Sequence, residues 1–93
     1  MIRHVVLMKL TDPADATAAK TRLEALAGQV PEILTLEVGL DVLRTEVSYD
    51  LWLITTHESR ETLAGYQAHP VHEEFRGWVG PRLAARAVVD SEQ

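Results

Sequence analysis

Residues 2–10 read Ile2-Arg3-His4-Val5-Val6-Leu7-Met8-Lys9-Leu10, IRHVVLMKL. Successive side chains of a strand point to opposite faces, so Ile2, His4, Val6 and Met8 share one face and Arg3, Val5, Leu7 and Lys9 the other. Both sets carry apolar residues in the middle of the stretch. That pattern predicts a central strand covered on both sides. Residues 47–56, VSYDLWLITT, read the same way. Residues 33–42, ILTLEVGLDV, instead alternate strictly, with Leu34, Leu36, Val38, Leu40 and Val42 on one face. This predicts a half-buried edge strand in which Gly39 marks a bulge. Arg44-Thr45-Glu46 makes a hairpin-length loop, and residues 83–90, LAARAVVD, give a last strand.

Helical signals fill the gaps. Thr11-Asp12-Pro13 offers a capping side chain and then a proline in the first turn. From there Ala16, Ala19, Leu23, Leu26 and Val30 recur at spacings of three and four, giving a helix to about Gln29 that Gly28 and Pro31 end. Ser59 caps a short helix running to about Tyr66. Pro70 interrupts it, and a second short helix carries Val71, Phe75, Trp78 and Val79 on one stripe until Gly80-Pro81. The order is β-α-β-β-α-β. It predicts an α+β ferredoxin-like domain over residues 1–93, an antiparallel four-stranded sheet with helices on one face. The sheet's other face, expected to hold Ile2, Val6 and Met8 beside Trp52 or beside Leu51 and Leu53, is too apolar for water. Sheet-to-sheet pairing into a homodimeric α/β barrel is therefore expected.

Composition agrees with that expectation and narrows the function. A chain of 93 residues with 46% hydrophobic content and no cysteine builds one thin core without disulfide staples. The missing thiols also remove cysteine catalysis and cysteine zinc sites. A net charge of −5 with scattered basic residues argues against nucleic acid as a partner. No apolar run approaches the roughly 20 residues of a membrane span, and Met1 leads directly into a strand pattern rather than a secretion signal. A cytoplasmic location, away from membranes, is the expectation.

Several segments together carry a family pattern: His4 in HVVLMKL, Val30-Pro31-Glu32-Ile33 leading into Leu36-Glu37-Val38-Gly39, Ser48-Tyr49-Asp50-Leu51, Tyr66-Gln67-Ala68-His69-Pro70-Val71-His72 with Phe75 after it, and Arg86-Ala87-Val88-Val89-Asp90. Over nearly the whole chain these resemble the Dabb family, the stress-responsive dimeric α/β-barrel domains. The Y-x-x-H-P-x-H segment is the specific element. The resemblance implies a dimeric barrel. Most members look like small proteins without an assigned reaction, and some plant members are stress-associated. A minority are polyketide cyclases that close a linear polyketide by aldol condensation without a cofactor. By that resemblance Tyr66 and His72 are the acid/base pair, and His4, His69 and Leu51 are substrate-binding positions. Leu51 marks a departure, because the plant cyclase has a histidine there.

The residues themselves support such chemistry. His72 falls in the first turn of the helix begun by Pro70, where the helix dipole disfavours imidazolium and leaves a neutral base. A base with a near-neutral pKa suits removal of a proton alpha to a carbonyl. Tyr66 supplies a donor for the enolate oxygen. The bland alternatives are that His69 caps a helix, that His72 packs and that His4 fills a semi-polar spot. A metal set of His69, His72, Glu73 and His4 is disfavoured, because H-x-x-H across a proline lacks the spacing that turns two imidazoles onto one ion. No cofactor is implied. His57 is expected to be exposed, and Trp52 and Trp78 to belong to core or interface. The functional expectation is a cyclase-like enzyme acting on a small carbonyl-rich molecule. The alternatives are a dimeric protein that binds a small apolar ligand or acts in stress tolerance, and a cofactor-independent monooxygenase of the same barrel superfamily.

Overall fold

The computed structural model describes residues 1–93. Strand β1 spans Ile2–Leu10, helix α1 Ala16–Leu26, β2 Thr35–Leu40, β3 Leu51–His57, α2 Arg60–Ala68, α3 Pro70–Val79 and β4 Leu83–Glu92. The four strands form one antiparallel sheet in the order β2-β3-β1-β4. Strands β1 and β3 are central and β2 is an edge, as the apolar patterning predicts.

Alternation along β1 runs as expected, but the faces are reversed. Ile2, Val6 and Met8 lie in the core with Leu51 and Leu53, packed with Ala16, Ala19, Leu23 and Leu26 of α1 and with Tyr66, Phe75 and Val79 of α2 and α3. The register explains this: Val6 pairs with Leu53 and Met8 with Leu51, so all four share the helix-covered face. The open face belongs to the other parity, with Leu7 opposite Trp52 and Ala87, and Val5 opposite Ile54 and Val89. Leu7, Trp52 and Val89 are exposed there.

Element boundaries contract where the chain must turn inward. Helix α1 stops at Leu26 rather than Gln29, because the chain turns there and the Val30 amide donates to Leu26 O, bringing Val30 to 1% exposure. Strand β2 loses both expected ends, with Leu34 and Val42 exposed. Strand β3 begins at Leu51 rather than 47, after a loop from Asp41 to Asp50. Asp50 closes that loop. Its amide donates to Met8 O at 2.8 Å and its Oδ2 accepts from the Leu10 amide at 2.6 Å, so a residue of the expected strand serves as a tie to β1 instead. At Gly39 the ladder is regular, with no bulge. The glycine is required by the neighbouring indole, because a Cβ there would lie 2.1 Å from Trp52 Nε1.

The helix break is well made. Ser59 and Thr62 form a reciprocal capping box at the start of α2. His69 leaves the helix in an extended conformation, as a residue before proline must, and its Nδ1 accepts from the Val71 amide at 3.1 Å. It caps α3. Trp78 is a packing residue, with the guanidinium groups of Arg22 and Arg82 each 4.5 Å from its ring centroid. No helix is long and apolar enough to cross a membrane.

Candidate functional site

Between the sheet and α2–α3 lies a cavity of about 690 Å³. Its apolar wall comes from Val6, Met8, Leu23, Leu53, Phe75, Val79 and Leu83, and its polar groups include His4, Tyr66, His72 and Arg86. Three of the five positions singled out by resemblance therefore meet in one place. His4 comes from the covered face of β1, Tyr66 from the end of α2, and His72 from the start of α3. The other two stand apart from the wall: Leu51 is a core residue at 2% exposure, and the His69 ring is engaged in the cap of α3.

The kink at Pro70 is what joins Tyr66 to His72. In an unbroken helix, positions six apart are more than one and a half turns distant and on different faces. Here the ring centroids are 4.5 Å apart. His72 Nδ1 lies 3.0 Å from the Gln67 carbonyl oxygen. A carbonyl can only accept, so Nδ1 carries the hydrogen and Nε2 carries the lone pair. Burial lowers the His72 pKa below the ordinary 6.5; the Gln67 carbonyl opposes this and the Arg76 charge adds to it. The ring is a neutral imidazole at neutral pH. The Tyr66 hydroxyl makes no hydrogen bond within the protein, and burial pushes its pKa up to about 12, with the Arg86 charge pulling the other way. It remains a donor at any physiological pH.

Two further residues complete the cluster. His57, expected at an exposed strand end, is fully buried: it continues the covered parity of Leu51, Leu53 and Thr55. Its Nδ1 donates to the Glu32 carbonyl at 2.8 Å and its Nε2 accepts from the Thr55 hydroxyl at 2.8 Å. Burial lowers its pKa as well. The ring stacks on Tyr66 at 5.1 Å and 23°, so Tyr66 lies between two imidazoles. Asp90 of β4 is opposite His4 in the register, and its carboxylate accepts from His4 Nδ1. That bond fixes the ring's orientation and leaves Nε2 free. The His4 and Tyr66 rings meet edge to face at 6.3 Å. Covered-face parity carried through to residue 57 would have found His57. Asp90 could be found only by pairing the first strand with the last in the correct register.

Chemically, the site joins a neutral base, an uncommitted phenol and a carboxylate-held imidazole against an apolar wall. That set can move a proton and stabilise an oxyanion.

The family model described as the stress responsive A/B barrel domain matches residues 2–93. An uncharacterized protein of Streptomyces coelicolor is 29% identical, the match covering 85% of this chain and 94% of that protein. A dimeric protein of unknown function and ferredoxin-like fold from Bacteroides fragilis superposes with a TM-score of 0.88 at 26% identity, over 99% of this chain and 95% of that one. A hydroxynitrile lyase from Passiflora edulis shares the fold, with a TM-score of 0.82 at 15% identity over 97% and 90% of the two chains.

Proposed function

The chain belongs to the stress-responsive A/B barrel (Dabb) family, and on that premise we propose that it is a homodimeric, cofactor-independent acid/base enzyme of the polyketide cyclase type. His72 Nε2 takes a proton from a carbon activated by neighbouring carbonyls. Tyr66 donates a hydrogen bond to the enolate oxygen, the carbanion carbon attacks a second carbonyl of the same molecule in an aldol closure, and the protonated His72 returns its proton to the new alkoxide. The substrate's own carbonyls acidify the carbon, so the reading calls for no metal or nucleotide. His4, oriented by Asp90, binds a substrate oxygen.

The observation that carries this reading is the His72 ring: its Nδ1 is committed to Gln67 O, which leaves Nε2 without a partner, and its ring centroid lies 4.5 Å from that of Tyr66, whose hydroxyl has no partner of its own. The homodimer is supported by the exposed Leu7, Trp52 and Val89 on the open sheet face and by the dimeric Bacteroides fragilis relative.

A second reading, reversible binding of a small apolar ligand without turnover, is favoured by the long apolar wall of the cavity. Turnover of 3,5-dioxo acids and their esters separates the two. His72→Ala should lower kcat by ~10²–10⁴-fold, and Tyr66→Phe should lower kcat more than it raises KM. Activity should persist in a chelator. It should rise with pH through a midpoint below the ordinary imidazole value of 6.5, because burial favours the unprotonated base. Full turnover in His72→Ala would remove the acid/base assignment. No turnover in the wild type, with apolar ligands raising Tm, would establish the binding reading.

A further inference from the structure

Arg86 has no place in the proton chemistry, yet it belongs to the cavity wall. In the β1–β4 register it lies opposite Met8, as Asp90 lies opposite His4, so its side chain springs from the covered face. Other arginines of the chain are engaged: Arg60 with Glu92, Arg76 with Glu73, Arg82 with Asp15 and the Trp78 carbonyl, and Arg44 with Asp50 at 3.8 Å. Arg22 stacks on Trp78. Arg86 makes no hydrogen bond or ion pair. Arg3 shares that freedom, but it is exposed on the opposite face of the sheet.

The acids near the cavity do not compensate Arg86. Glu73 is 3.0 Å from Arg76, and the Asp90 carboxylate is held on His4. The charge of Arg86 is nevertheless felt inside, where it acts on the Tyr66 phenol. An uncompensated planar fork of donors beside an apolar wall matches one ligand chemistry well, a carboxylate on an apolar body. Arg86 also remains exposed to solvent, so an incoming ligand reaches it without any strand having to open. Arg86 and Asp90 are four positions apart along β4, about 13 Å at the usual rise per residue. A ligand anchored at Arg86 therefore extends its body toward the His4–Tyr66–His72 end.

We infer that Arg86 is the carboxylate anchor of this cavity and that the ligand is an organic acid with an apolar or carbonyl-bearing chain. The inference rests on the proposed use of the cavity as a ligand site, and it is independent of the proton transfer assigned there. Octanoate and octan-1-ol, equal in chain length, serve as probes, with affinity measured by calorimetry below micellar concentrations. The wild type should bind octanoate about tenfold or more tightly than octanol, the usual scale for a charge-assisted pair. Arg86→Gln should bring the two within about twofold by weakening octanoate alone. Arg86→Lys should restore part of the preference, since it keeps the charge and loses the fork. Arg60→Gln, which removes a charge of the same sign elsewhere, should leave the preference intact. Circular dichroism checks that each variant is folded. Equal affinity for the two probes in the wild type, a preference that survives Arg86→Gln, or no octanoate binding would each overturn the assignment. His72→Ala should keep the octanoate preference. A preserved preference together with undiminished turnover in that variant would sink the acid/base reading and leave this one standing.

Discussion

On the helix-covered face, β1 and β3 set Ile2, His4, Val6 and Met8 against Leu51, Leu53, Thr55 and His57; one residue along, the same two strands set Val5 and Leu7 against Ile54 and Trp52. The buried polar groups that β1 and β3 place on the covered face have partners. His57 is held by Glu32 and Thr55, and His4 by Asp90. The open face is apolar at its middle, with Arg3, Lys9 and the hydrogen-bonded Thr35–Thr56 pair toward its ends. In a monomer Leu7 and Trp52 stand in water at 38% and 36% exposure. A sheet with two apolar faces thus has one closed by its own helices and one left open, the face proposed for the second copy. Apolar content does not distinguish the two. What distinguishes them is that the covered face buries polar residues, His4, Thr55 and His57, each with a partner.

The sharpest way to break this comparison is to place the same charge on each side. Val6→Asp buries an unpaired carboxylate at a position with 1% exposure, costing several kcal/mol and, in a domain of this size, the fold. Leu7→Asp puts that carboxylate on the open face, where it should dissociate the proposed dimer and leave the secondary structure intact. Sedimentation equilibrium and circular dichroism on both variants decide it. A Leu7→Asp protein that remains dimeric would show that the open face is not the interface.

A smaller perturbation tests the open face alone. Gly39→Ala places a methyl where the Trp52 indole lies and must re-aim that ring. The fold should survive, because the edge strand keeps its ladder. The dimer should weaken by about 1 kcal/mol, roughly fivefold in its dissociation constant. Indole emission followed through a dilution series reads both changes. An unchanged dissociation constant would remove Trp52 from the interface.

The smallest expected effect belongs to the covered face and to pH. His57 and His72 titrate below the ordinary 6.5 because burial disfavours their cations. Between the folded and unfolded pKa values the unfolded chain binds more protons, so stability falls as pH drops below about 6.5. Each group contributes a slope of at most about 1.4 kcal/mol per pH unit. His57→Phe should lower stability at neutral pH, by orphaning the Glu32 carbonyl and the Thr55 hydroxyl, and should flatten the slope. Urea denaturation between pH 7.5 and 5 checks it, and an unaltered slope would mean that His57 does not enter the fold as a neutral ring.

Much of this organisation was legible in the residues. The periodicities of two and of three to four, the caps at Ser59 and Pro70, and the central and edge roles of the strands follow from local chemistry, and the structure repeats them. The cavity grouping of His4, Tyr66 and His72 was reached through the family pattern and not through spacing. Which face of β1 meets the helices was not legible, since parity groups residues without saying which group lies inside. Trp52 illustrates the difficulty. An indole suits a core, but here the glycine opposite it makes room on the open side. Asp50 read as part of a strand because it lies between apolar residues, whereas its carboxylate is drawn to the Leu10 amide. Asp90 was unreadable as His4's partner, since nothing local sets the register between the first strand and the last.

The kink at Pro70 and the pairing of β1 with β4 also differ in when they can form. Tyr66 and His72 are six positions apart and meet as soon as one helical corner exists, on the microsecond scale of local structure. His4 and Asp90 are 86 positions apart. Closing that longer loop costs roughly 2 kcal/mol more in chain entropy, and it must wait for the first and last strands to zip together, the slow step for non-local pairing. A refolding chain therefore acquires the Tyr66–His72 contact early and the His4–Asp90 bond late, and the proposed activity should return with the slowest folding phase.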